Sequence, residues 1–265
     1  MENIQTLYVL DVETSGFYPY KGDVILEISI YQLNCKTYQY KKVFDTVIRQ
    51  EITDKIKNCW LVEQGYITIE EIERGMDQEK AKKKIHELLQ GNDWTSFHID
   101  FDYSFLKSIL PTLTDPAFCL MKKMTNITRI PKRTYGYSSS FNDSFKWPSL
   151  LEAYNYLYPD ALEEKHRSDY DTELATKIAI KLLQFNLFTQ AISISITKNV
   201  DIKLTYHDKN NKQYDIIVKP KKLIRGSTIL EAYNYHKEKD QAYNLTRIIN
   251  FKELSTPYQT LKERN

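Results

Sequence analysis

Hydrophobic and polar positions near the start of the chain follow the pattern of strands. Residues Thr6–Val12, Val24–Leu33 and Tyr38–Arg49 are rich in β-branched and aromatic side chains and are separated by the turn signals "PYKGD" and "NCKT", which predicts three consecutive antiparallel strands. The period then lengthens. "DQEKAKKKIHELLQG" sets Ala81, Ile85, Leu88 and Leu89 on one face, opens with Asp77 and Glu79 and ends at Gly91, predicting a capped amphipathic helix. "DWTSFHI" reads as a short buried strand and "FDYSFLKSIL" as a helix stopped by Pro111. "WPSLLEAYNYLYP" reads as a helix with proline near its start, and "SDYDTELATKIAIKLLQF" is the clearest helical pattern of all. Strands followed by alternating strands and helices predict a layered α/β domain over residues 1–188.

From Ser193 the period returns to two. "SISITKNVDIKLTY", "KQYDIIVKP", "TILEAYNYH" and "AYNLTRIINFKEL" are short segments joined by polar turns, which predicts a small all-β domain over 193–256 and a tail over 257–265.

Composition changes this picture little. The chain has 265 residues, 42% of them hydrophobic, so it can bury a core and is not disordered as a whole. Cys35, Cys59 and Cys119 form no CxxC pair, which argues against a zinc site or a disulfide framework. There is no run of 18 or more apolar residues and no basic leader with a small-residue cleavage site, so the expected location is cytoplasmic, with no membrane involved. Charge adds more. Residues 1–190 hold 23 Lys and Arg against 27 Asp and Glu, whereas residues 191–265 hold 14 against 8. A basic module beside an acidic one suits a nucleic-acid enzyme, and a solvated lysine-rich surface explains it equally well.

The candidate chemistry starts in "LYVLDVETSGFYP". Asp11 and Glu13 lie two apart on a predicted strand and share a face, where two acids repel unless a cation neutralises them. Magnesium or manganese bound through carboxylate oxygens is one solution, and a solvated strand end is the other. Asp102 stands between a strand and a helix, where it can cap the helix or serve a metal. Asp171 lies on the face of Ala175, Ile178 and Leu182, and Ser168 and Asp171 have a capping-box spacing. His166 precedes that helix, placed to act as a base, while His86, His207 and His236 read as surface residues.

These three separated motifs, "DVETSG", "FHIDFDYSFL" and "HRSDYD", together resemble the DEDDh family of 3′→5′ exonucleases, the RNase H-like domain of bacterial polymerase III proofreading subunits and of ribonuclease T. The likeness spans residues 6–185, with further echoes in "GYITIEEIERG", "AFCLMK" and "WPSLLEAYNYLYP". Phe97 and His98 stand where the family often has His-Asn.

The resemblance implies an RNase H-like mixed sheet flanked by helices and two divalent cations, Mg2+ or Mn2+. Asp11 would be shared by both, Glu13 and Asp171 would complete one site, and Asp102 would serve the other. His166 would be the catalytic base, and Thr14, Gly16 and Phe17 would seat the terminal nucleotide, with Gly16 allowing close backbone approach. The substrate implied is a single-stranded 3′ end, of DNA in proofreading or repair. Ribonuclease T-like RNA trimming and a catalytically inactive nucleic-acid-binding module stay open.

Three further segments bear on substrate and partners. Between Lys122 and Lys146 lie six basic residues and one acid, with Tyr135, Tyr137, Phe141 and Phe145 interleaved and a serine run at 138–140. That composition suits single-stranded nucleic acid as well as a plain surface loop. "QFNLF", with Gln184, Leu187 and Phe188, resembles the peptide by which bacterial replication proteins dock on the sliding clamp, which makes a sliding clamp or a polymerase a candidate partner; burial of Leu187 and Phe188 is the alternative. The C-terminal segment is similar in layout to the WYL domain, an SH3-like barrel. Thr228-Ile229-Leu230 stands at the name-giving tripeptide and Arg247 is kept near the end. Eight basic and three acidic residues between Lys198 and Arg225 could give it a phosphate-tracking face, with a solubilising cap or dimer contact as the alternative.

Overall fold

The computed structural model describes residues 4–132, 145–158, 165–208, 212–255 and 257–258. It divides into two compact units, Met1–Ile180 and Lys181–Asn265. In the first, the strands are β1 (Thr6–Thr14), β2 (Ile25–Asn34), β3 (Tyr40–Val47), β4 (Trp94–Ser96) and β5 (Phe118–Cys119). They form one mixed sheet in the order β3-β2-β1-β4-β5. The expected antiparallel meander is present, since β1 pairs with β2 and β2 with β3, and the parallel neighbours β4 and β5 extend the other side. β1 is therefore central. Leu7, Val9, Leu10, Leu26, Ile28, Ile30 and Leu33 are fully buried, each contributing about 1.5–3 kcal/mol to folding. β2 is covered on both faces, which explains its nearly continuous apolar run.

Seven helices of this unit are α1 (Asp54–Lys57), α2 (Trp60–Glu63), α3 (Ile69–Arg74), α4 (Gln78–Leu89), α5 (Ile99–Ile109), α6 (Leu120–Thr128) and α7 (Leu150–Leu157). α4 is capped by Asp77, whose carboxylate accepts from the N–H groups of Glu79 and Lys80, and Gly91 follows with φ 74°. α7 opens with a Ser149–Glu152 capping box after Pro148.

The helix α8 (Ser168–Lys198) runs for 31 residues, and its residues from Lys181 belong to the second unit. This corrects the strand expected from Ser193. Phe185, Phe188, Ile192 and Ile196 recur every three or four residues and pack with the second core, while the hydroxyls of Ser195 and Thr197 donate to the carbonyls of Ala191 and Ser193. The Ser-Ile alternation concealed a helical stripe. On length and mean hydropathy, 1.2 over its best 18-residue window, α8 could cross a membrane. In the fold Leu174, Ala175, Ile178 and Ala179 are buried.

The second unit continues with β6 (Ile202–His207), β7 (Gln213–Ile224), β8 (Ile229–Asn234), β9 (Lys239–Asn244) and β10 (Ile248–Glu253), a wholly antiparallel sheet in the order β10-β6-β7-β8-β9. A 3-10 turn, Leu245–Arg247, splits the last expected strand in two. Lys203, Lys221, Lys222 and Lys198 pair with Asp215, Asp240, Glu231 and Glu253, so four of the basic residues expected to track phosphate are already neutralised. Of the clamp-like peptide, Phe188 packs with this core, Gln184 is half-buried and Leu187 is 55% exposed. Tyr135, Tyr137, Phe141 and the serines at 138–140 lie outside the described residues.

Candidate active site

β1 extends two residues beyond the expected Val12, carrying Asp11 and Glu13 out on one face. Where β4 ends at Ser96, the carboxylate of Asp102 continues the edge. Its Oδ1 accepts from the Val12 N–H at 3.3 Å and its Oδ2 from the Ser96 hydroxyl at 2.6 Å. Asp102 is 2% exposed and lies inside α5, whose cap position is His98, so the helix-capping alternative fails. Its carboxylate stitches the peptide between Asp11 and Glu13 to the second motif.

α8 brings the third motif. The Arg167 carbonyl accepts from the Asp171 N–H at 3.0 Å, which makes Ser168 the first helical residue rather than a cap. The capping-box reading of Ser168 therefore also fails. The register of α8 is set by Glu27 on β2, which accepts from the Ser168 N–H at 3.0 Å and from the Arg167 guanidinium at 2.6 Å. Tyr31 and Tyr40 donate to Asp169 and Glu173 on the same helix. Arg167 also reaches the Tyr66 carbonyl and Glu71. As expected from their spacing, Ala175, Ile178 and Leu182 are buried, and Asp171 is 8% exposed.

A carboxylate oxygen of Glu13, one of Asp171 and a ring nitrogen of His166 lie within 4.8 Å of one another, a grouping able to hold a cation. Asp11 and Asp102 are not part of that tight triplet, but Asp11 feels the charges of Asp102, Glu13 and Asp171. His166 has a left-handed backbone, φ 46°, which costs a non-glycine residue roughly 1–3 kcal/mol. Its ring stands edge-on to Trp60 and Tyr66, with centroids 4.7 and 5.0 Å away.

Burial pushes the carboxyl of Asp11 well above its ordinary value, and the neighbouring carboxylates add to this. Burial, then Asp171, Glu27 and Asp102, raise Glu13 to about 8. Burial raises Asp102 to about 7 against the opposing hydrogen bonds from Ser96 and Val12. Such a crowd of oxygens resists ionisation by itself and suits a hard cation, whose charge lets the acids ionise together. The donor set therefore fits divalent metal.

The loop after β1 is braced from beneath. The Thr14 hydroxyl donates to the Gly16 carbonyl at 2.6 Å, and Phe17 is 75% exposed. A methyl group on Gly16 would meet the Asp23 carboxylate at 2.5 Å, so the close approach made at Gly16 is by this side chain. Burial favours the neutral Asp23 acid, but the Lys55 ammonium and the Tyr18 N–H outweigh it and hold the carboxyl below its ordinary value.

Sequence reasoning missed Glu27, Arg167, Ser96, Trp60 and Asp23. Glu27 had a signal, being an acid in the middle of the apolar run "VILEISIY" and opposite Glu13 in register. Arg167 and Trp60 became visible only through contacts between distant residues, and Ser96 and Asp23 through side-chain contacts six and five residues along the chain that no periodicity reports.

The fold agrees with comparisons to known proteins. The solved structure of E. coli exonuclease I in complex with a dT13 oligonucleotide is similar with a TM-score of 0.51 at 10% identity, covering 98% of this chain and 68% of that one. The nuclease domain of 3′hExo, a DEDDh family member bound to rAMP, is similar with a TM-score of 0.50 at 18% identity, covering 69% of this chain and 93% of that one. For a full-length 3′-exonuclease the TM-score is 0.50 at 18% identity, with 69% of this chain and 62% of that one covered. No curated protein matches the chain. Enzymes of the DEDDh family generally use divalent metal ions. The RNase_T exonuclease family model matches residues 8–179, well over half of the chain and all three acidic motifs, and the chain accordingly belongs to that family, with the DEDDh pattern.

Proposed function

We propose that this protein is a metal-dependent 3′→5′ exonuclease that releases nucleotides one at a time from single-stranded ends. The observation that carries the reading is the convergence of Glu13, His166 and Asp171 within 4.8 Å, from β1 and from the start of α8. Two divalent cations, Mg2+ or Mn2+, would supply charge neutralisation at the attacking and leaving oxygens of an in-line displacement. Asp11, Glu13, Asp171 and Asp102 would hold them. His166 accepts the proton of the attacking water, and Glu13 and Asp171 beside it stabilise the imidazolium that forms. Thr14, Gly16 and Phe17 seat the terminal nucleotide.

Exonuclease I is described with a deoxythymidine oligonucleotide and the 3′hExo domain with rAMP, so both polymers enter the test. Single-stranded DNA and RNA labelled at the 5′ end are incubated with Mg2+, Mn2+ or EDTA, with Asp171→Ala as control. Expected are ladders shortening from the 3′ end that vanish with EDTA and in the control. Equal inertness of wild type and Asp171→Ala on both polymers would overturn the reading.

A further inference from the structure

Four aromatic rings, several of them in or next to the acidic motifs, touch one another in a row, and neither the carboxylate chemistry nor the core accounts for the exposure of its outer members. The run starts at Phe17, four residues beyond Glu13. Its ring meets that of Phe101, the residue before Asp102, at a centroid distance of 6.4 Å. Phe101 lies nearly parallel to His98, 8° between planes and 6.1 Å between centroids. His98 in turn meets Trp147 at 6.3 Å. The outer members are open to solvent: Phe17 is 75% and Trp147 55% exposed, and His98 is exposed as well. The inner member is rooted, because Phe101 packs on the fully buried Phe105 at 5.1 Å.

Exposed large aromatics in a continuous row mark an interaction surface. His98 occupies the cap position of α5 but makes no capping bond, so its ring is committed to the aromatic row rather than to the helix end. The ring planes turn by 63° between Phe17 and Phe101 and by 57° between His98 and Trp147, so the row offers separate faces, and consecutive unpaired bases on a rotatable backbone can meet such faces one after another whatever their sequence.

We propose that Phe101, His98 and Trp147 continue from Phe17 as a stacking path for the bases upstream of the terminal nucleotide, setting a preference for single strands several nucleotides long. This rests on the exonuclease reading for where the strand ends. Because base stacking does not involve the sugar, the path serves DNA and RNA alike.

Two measurements on the full-length chain test it. In the first, binding of 5′-fluorescein hexathymidylate and hexauridylate is followed by anisotropy in an Asp171→Asn background, with and without Trp147→Ala. A stacked base contributes roughly 1–3 kcal/mol, so affinity is expected to fall about 5- to 150-fold for both polymers, and Trp147→Phe is expected to restore most of it. In the second, the preference for hexathymidylate over the p-nitrophenyl ester of thymidine 5′-monophosphate, taken as a ratio of kcat/KM, is expected to fall by the same order in Trp147→Ala and in His98→Ala. Unchanged hexanucleotide affinity and an unchanged ratio, in an enzyme that hydrolyses the ester, would overturn the stacking path and leave the exonuclease reading intact. Hydrolysis absent from wild type on every substrate, with the binding loss still present, would overturn the exonuclease reading and leave the path standing. Failure of the chain to bind either oligomer would overturn the path.

Discussion

Replacing Arg167 by methionine removes one side of a largely buried ion pair and tests what holds the third motif in place. The guanidinium meets Glu27 at 2.6 Å through one terminal nitrogen and at 3.0 and 3.1 Å through Nε. Glu27 is 3% exposed, and stranding such a carboxylate typically costs about 3–5 kcal/mol. Two features reduce this. The Arg167 side chain is 37% exposed, so water screens part of the pair, and Glu27 keeps its bond from the Ser168 N–H. About 2–3 kcal/mol is the expected loss, or ~4–12 °C in the melting temperature. Scanning calorimetry of the intact protein measures it. Activity should fall further than stability accounts for, because Glu27 then faces Glu13 across the β1–β2 pair without its counter-charge, and Arg167 is the group that favours Glu13 ionisation. The decisive control is Glu27→Gln, alone and combined with Arg167→Met. Removing both charges strands neither, so the double variant should recover at least about 1 kcal/mol relative to the sum of the singles. Additivity within about 0.5 kcal/mol would refute the reasoning, since it would mean that the two side chains do not act as a unit.

Four other outcomes follow from the same contacts. With chelator present, the raised carboxyls of Asp11, Glu13 and Asp102 make the folded chain bind more protons than the unfolded chain between about pH 4 and pH 8, so the melting temperature should fall as pH rises through that window, and magnesium should raise it more at pH 8 than at pH 5. Gly16→Ala forces a methyl group against the Asp23 carboxylate and should cost about 1–3 kcal/mol, measured by denaturant titration, with lower activity through displacement of Phe17. Ser96→Ala removes the 2.6 Å bond to Asp102 and should destabilise by about 1–3 kcal/mol, again by denaturant titration, while moving the Asp102 carboxyl further up in a carbon-13 NMR titration. Ile192→Ala, at a fully buried position of α8, should cost the second unit about 2–5 kcal/mol, read as lost amide protection in β6–β8.

What could be read from the chain in advance was whatever repeats locally. The alternation along β1 gave Asp11 and Glu13 a common face, and the stripe of Ala175, Ile178 and Leu182 placed Asp171 on the buried side of α8. The helix at Gln78–Leu89 carried both its ends in Asp77 and Gly91. Misreadings arose where one local pattern fits two structures. Ser193–Ile196 alternates like a strand, yet Phe188, Ile192 and Ile196 are spaced like a helix, and core packing decided for the helix. Asp102 and Ser168 both look like caps, and in each case the capping position falls elsewhere. The Glu27–Arg167 pair joins residues 140 apart, and no periodicity reports such a contact.

The hydrogen bond from the Val12 N–H to Asp102 turns one peptide group into a reporter. Asp11, Glu13 and Asp102 titrate as a crowd, and most observables would average over them. The Val12 amide bonds to Asp102 at 3.3 Å, so its nitrogen-15 and proton shifts should follow the charge on that one carboxylate. A pH series in metal-free protein should bring the inflection near the value of about 7 to which burial lifts this acid. A divalent cation entering beside Asp102 should move the same resonance, giving an occupancy signal in the backbone that needs neither substrate nor turnover.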